Sequence, residues 1–321
     1  MATVNPDPIV EPDDEVLDDQ ASSLGYDTAS SAQSLASSIV DYRRENGRTY
    51  HRYSEGKYSL PNDDIENERL DLQHHLFLLT FDNKLGLAPP NQADSKVERV
   101  LDVGTGTGIW ALDYGDEHPE AEVIGVDLSP IQPSFVPPNV KFYIDDIEAP
   151  WAYPKPFNYI HCRMMTSSLA SWPNFLRDAF NNLAPGGYTE LQEIDLFAKS
   201  DDDTLKDGSA LAKCTKLLND ACNILGRPFQ DNSKLKDIMA KIGYVDIVVT
   251  TFKWPTNAWA RDKKHKELGM WNSENMSTGL EALTMAPFTR ALGWSKEDVD
   301  VFLVDVMEDL NNKAVHAYWP V

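Results

Sequence analysis

Apolar positions along the middle of the chain fall into short strand-length runs that alternate with stretches of helical spacing. The first run, Val100-Leu101-Asp102-Val103, ends in glycines at every second position, Gly104, Gly106 and Gly108, and a helical pattern opens at Ile109-Trp110-Ala111-Leu112. This reads as strand, tight turn, helix, an arrangement that presents main-chain N–H groups to a nucleotide-like ligand. Glycine suits such a turn because the backbone takes angles that a Cβ resists and because the ligand approaches the main chain closely. A second strand, Val123-Ile124-Gly125-Val126, ends at Asp127 followed by Leu128, and a third, Val140-Lys141-Phe142-Tyr143, runs into Asp145, Asp146 and Ile147. Prolines 130, 133, 137 and 138 leave little room for a long helix between them. Residues 157–162 form the fourth strand, residues 172–183 an amphipathic helix stopped by Pro185-Gly186-Gly187, and residues 188–196 the fifth strand. Helical spacing over 209–225 then interrupts the alternation. It resumes with a helix near 233–242 and a strand over 245–252, before helical stretches at 259–291 and 296–311 and a terminal strand at 314–321.

The same spacing organises the rest into domains. Residues 1–38 contain no Lys or Arg, are rich in Asp, Glu, Pro and Ser, and lack apolar periodicity, so they read as a disordered acidic tail. Residues 39–95 read as a helical N-terminal cover: aromatic and basic residues including Tyr42, Tyr50, Tyr53 and Tyr58 lead to a capped helix over 65–81 with Leu70, Phe77 and Leu78 at helical intervals. Residues 96–321 form the core, with helical insertions at about 205–226 and 258–311. In the second insertion Met270, Trp271, Met276, Met285 and Phe288 suit either a substrate wall or plain core, and core is the expected reading.

The loop chemistry selects the ligand. A dinucleotide loop reads GxGxxG, whereas here the pattern is GxGxG, and Asp102 stands two residues before the first glycine. A phosphate disfavours that carboxylate, while S-adenosylmethionine, with its sulfonium and ammonium groups and no phosphate, is favoured by it. Asp127 stands where an acid accepts both ribose hydroxyls, and Asp145 or Asp146 where one accepts from the adenine amino group. The nucleophile end falls at the fourth strand's C-terminus, where Arg163 is placed either to pair with the cofactor carboxylate or to form a surface ion pair. A nicotinamide-dependent oxidoreductase would require the GxGxxG loop that is absent.

The chain resembles the class I S-adenosylmethionine-dependent methyltransferases, and among them the fungal LaeA-like (TAM/UMTA) methyltransferases of secondary metabolism. The resemblance rests on Glu68-Arg69-Leu70-Asp71-Leu72-Gln73-His74-His75, on residues 101–110, on Tyr159-Ile160-His161-Cys162-Arg163-Met164 and on Leu183-Ala184-Pro185-Gly186-Gly187-Tyr188. It implies a seven-stranded α/β sheet whose last two strands form an antiparallel pair, and methyl transfer to nitrogen or oxygen of a small-molecule secondary metabolite. The same resemblance also permits a regulator acting through protein partners. The implied cofactor residues are Asp102, Gly104, Thr105, Gly106, Asp127, Leu128, Asp145, Asp146, Ile147 and Arg163. His74 and His161 are the candidate general bases for a hydroxyl or thiol acceptor, with a hydrogen-bonded structural role as the alternative for His74.

Charge and cysteine usage narrow the partners. A net charge of −22 opposes nucleic-acid binding, and the densest basic run, Lys263-Lys264-His265-Lys266, reads as a solvated helix face. Three cysteines give no disulfide framework or zinc spacing. No signal-peptide pattern or membrane-length apolar run occurs, so the expected location is the cytoplasm, with the nucleus as a second compartment. A homodimer or a protein partner is compatible with these features.

Overall fold

The computed structural model describes residues 42–51 and 57–321; the acidic tail over 1–38 and Tyr53 lie outside the described residues. The N-terminal segment begins as a hairpin, β1 (Arg43–Glu45) paired antiparallel with β2 (Arg48–Tyr50). The segment before residue 64 thus contributes a hairpin ahead of the expected helix. The turn is Asn46-Gly47, both at positive φ (51° and 87°), the two-residue geometry that matches strand twist and that an Asn-Gly pair adopts at low cost. Helix α1 (Asp64–Thr80) follows, capped by the Asp63 carboxylate, which accepts from the Glu66 amide.

Five strands make one parallel sheet: β3 (Arg99–Val103), β4 (Glu122–Asp127), β5 (Val140–Ile144), β6 (Phe157–Arg163) and β7 (Leu183–Gln192), in the order β5-β4-β3-β6-β7. The order reverses at β3, so the crevice beyond the ends of β3 and β6 is the place for a ligand. Helix α2 (Ile109–Glu117) covers one face, where Trp110, Ala111 and Tyr114 pack on Val100, Val123 and Tyr159. The other face buries Leu101, Ile124, Ile160 and Cys162 beneath α3 (Trp172–Asn181). Beyond the sheet, α4 (Ala210–Ile224) is followed by α5 (Leu235–Ile242), which joins α3 on the second face. Helices α6 (Lys263–Ala291) and α7 (Lys296–Asn311) close a separate core with α4.

Among the described residues the parallel sheet has five strands. After β7 the chain turns away from the sheet, because Ile194, Leu196 and Ala198 pack on the helical core of α4, α6 and α7. Short strands β8 (Lys199–Ser200), β9 (Lys253–Pro255) and β10 (Ala317–Pro320) make a separate antiparallel sheet in the order β8-β10-β9. β9 and β10 do pair antiparallel, in that smaller sheet. Residues 245–252, read as a strand from their valines, form none; Val245, Val248 and Val249 are 80%, 84% and 63% exposed, so the apolar run marks surface and not a buried strand. Among the described residues no helix is long and apolar enough to cross a membrane.

Candidate active site

The glycine loop is held by its own backbone. Gly104 and Thr105 both donate to the Val126 carbonyl, and Gly104, Gly106 and Gly108 sit at φ of 67°, 57° and 83°. Gly108 precedes α2 with no side-chain cap, and a Cβ built there would lie 2.5 Å from the Phe142 ring. Gly108→Ala is accordingly expected to destabilise the protein by about 1–3 kcal/mol through left-handed strain and overpacking, measured by urea denaturation.

Asp102 lies inside, 2% exposed, between two donors: the Thr105 hydroxyl at 2.5 Å and His161 Nδ1 at 2.7 Å. The β3/β6 register sets Asp102 directly beside His161. An ionised carboxylate only accepts, so Nδ1 donates to Asp102, and in the neutral ring Nε2 keeps its lone pair. That Nε2 is buried without a partner, and the ring stacks on Trp110 at 3.7 Å and 5°. Asp127, at the end of β4, accepts from the Gly106 and Ser129 amides, each at 2.9 Å. Burial pushes its pKa up to about 6, with the Asp102 charge adding to the effect and the amide bonds opposing it. Asp146 is buried and ion-pairs with Lys57, and its Oδ1 accepts from the Glu148 amide; Asp145 is exposed and accepts from the Asp146 amide. Leu128 and Ile147 are half-buried, and both line the same cavity as the glycine loop.

Arg163 is half-buried. Its Nε donates to Gln192 Oε1 at 2.7 Å, its Nη1 to His74 Nδ1 at 2.9 Å, and its guanidinium lies 4.3 Å from the Phe77 ring centroid. Its Nη2 is buried without a partner. Burial draws its pKa down to about 10, which leaves it charged at neutral pH. The pairing fixes His74 as well. Since guanidinium can only donate, His74 Nδ1 accepts, and Nε2 must donate to Asp113 Oδ2 at 2.9 Å. Burial holds His74 below its ordinary pKa. With both nitrogens engaged, His74 presents no free lone pair to a substrate proton in this arrangement.

One cavity joins these groups. It is lined by the glycine loop, Asp102, Asp127, Asp146, His161 and Arg163, and by Lys57, Tyr58, Leu60 and Leu70 from the N-terminal segment. Helix α1 is tied to the loop by Thr107 Oγ1 donating to Asp71 at 2.7 Å. Sequence spacing did not reveal Asp113, Gln192 or Lys57, because each meets its partner only through tertiary packing; Asn46-Gly47 was a readable hairpin signal. Glu190 anchors the linker by accepting from the Leu87 and Ala88 amides at 2.9 and 2.8 Å.

The residues fit a nucleoside that carries cationic groups and a carboxylate. Three acids, Asp102, Asp127 and Asp146, ring the cavity, and one buried guanidinium nitrogen lacks a partner. Parallel sheet, glycine loop and acid-tipped strands together define a class I S-adenosylmethionine-dependent methyltransferase. A methyltransferase-domain family model matches residues 72–249, and the chain belongs to that family. It is 41% identical over 292 residues to methyltransferase pytC of Aspergillus terreus, covering 91% of this chain and 89% of that one. It is 36% identical over 298 residues to the secondary metabolism regulator laeA of Aspergillus flavus, covering 92% and 79%. Identity to the protein-methionine methyltransferase laeA of Emericella nidulans is 37% over 281 residues, covering 86% and 74%.

Proposed function

We propose that the chain transfers a methyl group to a small molecule of fungal secondary metabolism, with Arg163 holding the cofactor's carboxylate and Asp127 and Asp146 its nucleoside. The observation that carries this is Arg163, whose Nη2 is buried and unpartnered, lining the same cavity as the carboxylates of Asp102, Asp127 and Asp146. S-adenosylmethionine supplies a methyl group on a sulfonium with a good thioether leaving group. The chain's part is position and desolvation. The Asp127 carboxylate, held by backbone amides including those of Gly106 and Ser129, is the acceptor for the ribose hydroxyls. Asp145, exposed, and the half-buried Leu128 and Ile147 complete the adenine side. The Asp102 carboxylate fixes the His161 ring, whose free Nε2 takes the proton when the acceptor is a hydroxyl or thiol. Residues 39–95 act as the cover, supported by Lys57, Tyr58 and Leu60 on the cavity wall, and the tail over 1–38 is dispensable for binding.

Asp127 tests the assignment. The ionised form is the one that accepts from the ribose and faces cationic groups, so with a pKa of about 6 affinity rises with pH through that value. Calorimetry with S-adenosylmethionine should show binding about tenfold weaker at pH 5 than at pH 7.5. Asp127→Asn should cost about 1–3 kcal/mol at pH 7.5 and flatten the profile. Unchanged affinity in a folded Asp127→Asn protein would remove Asp127 from the site.

A second reading is a regulator that binds cofactor and works through protein contacts, supported by the regulator laeA among its relatives and by the exposed valines over 245–249. Stable heteromer formation without turnover would favour it.

A further inference from the structure

The cavity does not end at the glycine loop. It continues past Ile194 and Leu196 into a chamber walled by Leu211 and Leu218 of α4, Leu280 and Leu283 of α6, and Trp319 of β10. We propose that this chamber is the acceptor site and that it takes an uncharged, largely apolar small molecule; the inference rests on the methyl-transfer reading above. Leu211, Leu218, Leu280 and Trp319 are all buried, so these walls lie within the fold. They belong to the same apolar core as Val299 and Val306 of α7, which gives the chamber a packed backing.

The hydroxyl and indole groups on these walls are already committed. Thr215 donates to the Ala212 carbonyl at 3.0 Å, Thr284 to Leu280 at 2.7 Å, and Trp319 Nε1 to Leu196 at 3.2 Å. Asn275 Oδ1 accepts from Arg69 Nη1 at 2.8 Å, and Arg69 itself forks onto both Glu66 oxygens at 2.9 and 2.6 Å. Lys57 pairs with Asp146 and Glu148. Among the described lining residues, then, each cation besides Arg163 has a carboxylate partner, and none is left for a carboxylate or phosphate on the acceptor. Burying such a charge without a partner is unfavourable. A peptide fits no better, since each of its residues brings an N–H and a C=O that need partners the leucine walls lack. An apolar body with a single nucleophilic hydroxyl or amine turned toward the loop meets neither objection.

Two substitutions test the chamber without touching the cofactor groups. Leu283 is half-buried on its wall, so Leu283→Lys introduces a charge, and Thr215→Phe takes up volume. The full chain is saturated with S-adenosylhomocysteine and titrated with Nile red, an uncharged apolar dye, and with anilinonaphthalene sulfonate, an anionic one. The expected result is one Nile red site, at least about tenfold weaker in each variant, with the anionic dye at least about tenfold weaker than Nile red on the wild type. S-adenosylhomocysteine affinity should stay within about twofold in both variants, which also shows that they fold. Nile red binding that neither variant weakens, or equal binding of the anionic dye, overturns the chamber proposal. Methyl label passing from S-adenosylmethionine into acid-precipitable polypeptide does so as well. Loss of S-adenosylhomocysteine binding by the wild type would instead sink the cofactor reading, so the two failures are distinct.

Discussion

Arg163→Met is expected to weaken S-adenosylhomocysteine binding by about 2–5 kcal/mol, the loss that follows from removing one partner of a buried charge pair. The same variant should bind 5′-methylthioadenosine within about threefold of wild type, because that ligand keeps the nucleoside and lacks the amino-acid carboxylate. The contrast matters because Arg163 has structural bonds too. Its Nε and Nη1 serve Gln192 and His74, and its plane lies against Phe77, so methionine will also lower stability. A structural fault would weaken both ligands alike; loss of a carboxylate partner weakens one. Arg163→Lys is not expected to restore binding, since an ammonium cannot hold Gln192, His74 and a ligand carboxylate in the fixed directions of a guanidinium fork. Equal loss for both ligands would confine Arg163 to a packing role.

What the sequence made legible follows from the range of each interaction. Strand, glycine turn and helix are local, and three acids that end successive strands are brought together by the parallel order of β3, β4 and β5, so both could be read from spacing. Strand membership beyond β7 could not. The valines over 245–252 look like a buried strand, yet whether an apolar run is covered depends on helices elsewhere in the chain, and here the cover lies over Ile194 and Leu196 instead. His74 shows the same limit at the level of one side chain. Its place on α1 was predictable, but its tautomer is dictated by Arg163 and Asp113, which lie 89 and 39 positions away. The methionine and aromatic stripe of α6 divides three ways. Met285 and Phe288 are buried core, Met276 lines the cavity, and Met270 and Trp271 are exposed, because a helix of 29 residues meets several neighbours along its length.

Glu193→Gln is expected to make the protein more stable than wild type above about pH 8 and no more stable near pH 5. Glu193 follows β7, is buried, and accepts from the Met165 amide at 2.9 Å, while its Oε2 has no partner. Burial pushes its pKa up to about 8 from an ordinary 4.5, against the opposing effect of the amide bonds. Between those two values the folded chain holds a proton that the unfolded chain has released, so stability falls as pH rises through this window and stays lower above it. The difference is on the order of 3–5 kcal/mol if the group remains dry when ionised. Glutamine keeps the acceptor for Met165 and has no charge to desolvate, so its stability is flat across the same window. At pH 5, where Glu193 is mostly protonated in the fold, the variant only gains an amide nitrogen lacking a partner, which costs about 1–3 kcal/mol. The melting curves should therefore cross. The loop that Glu193 holds includes Met164, at a left-handed φ of 55°, and it borders the cavity through Met165 and Thr166. Ionisation of Glu193 in the wild type should thus increase amide exchange at residues 164–168 above pH 8, compared with glutamine after correction for intrinsic exchange rates. Parallel melting curves from pH 5 to pH 9 would show that Glu193 carries no such proton.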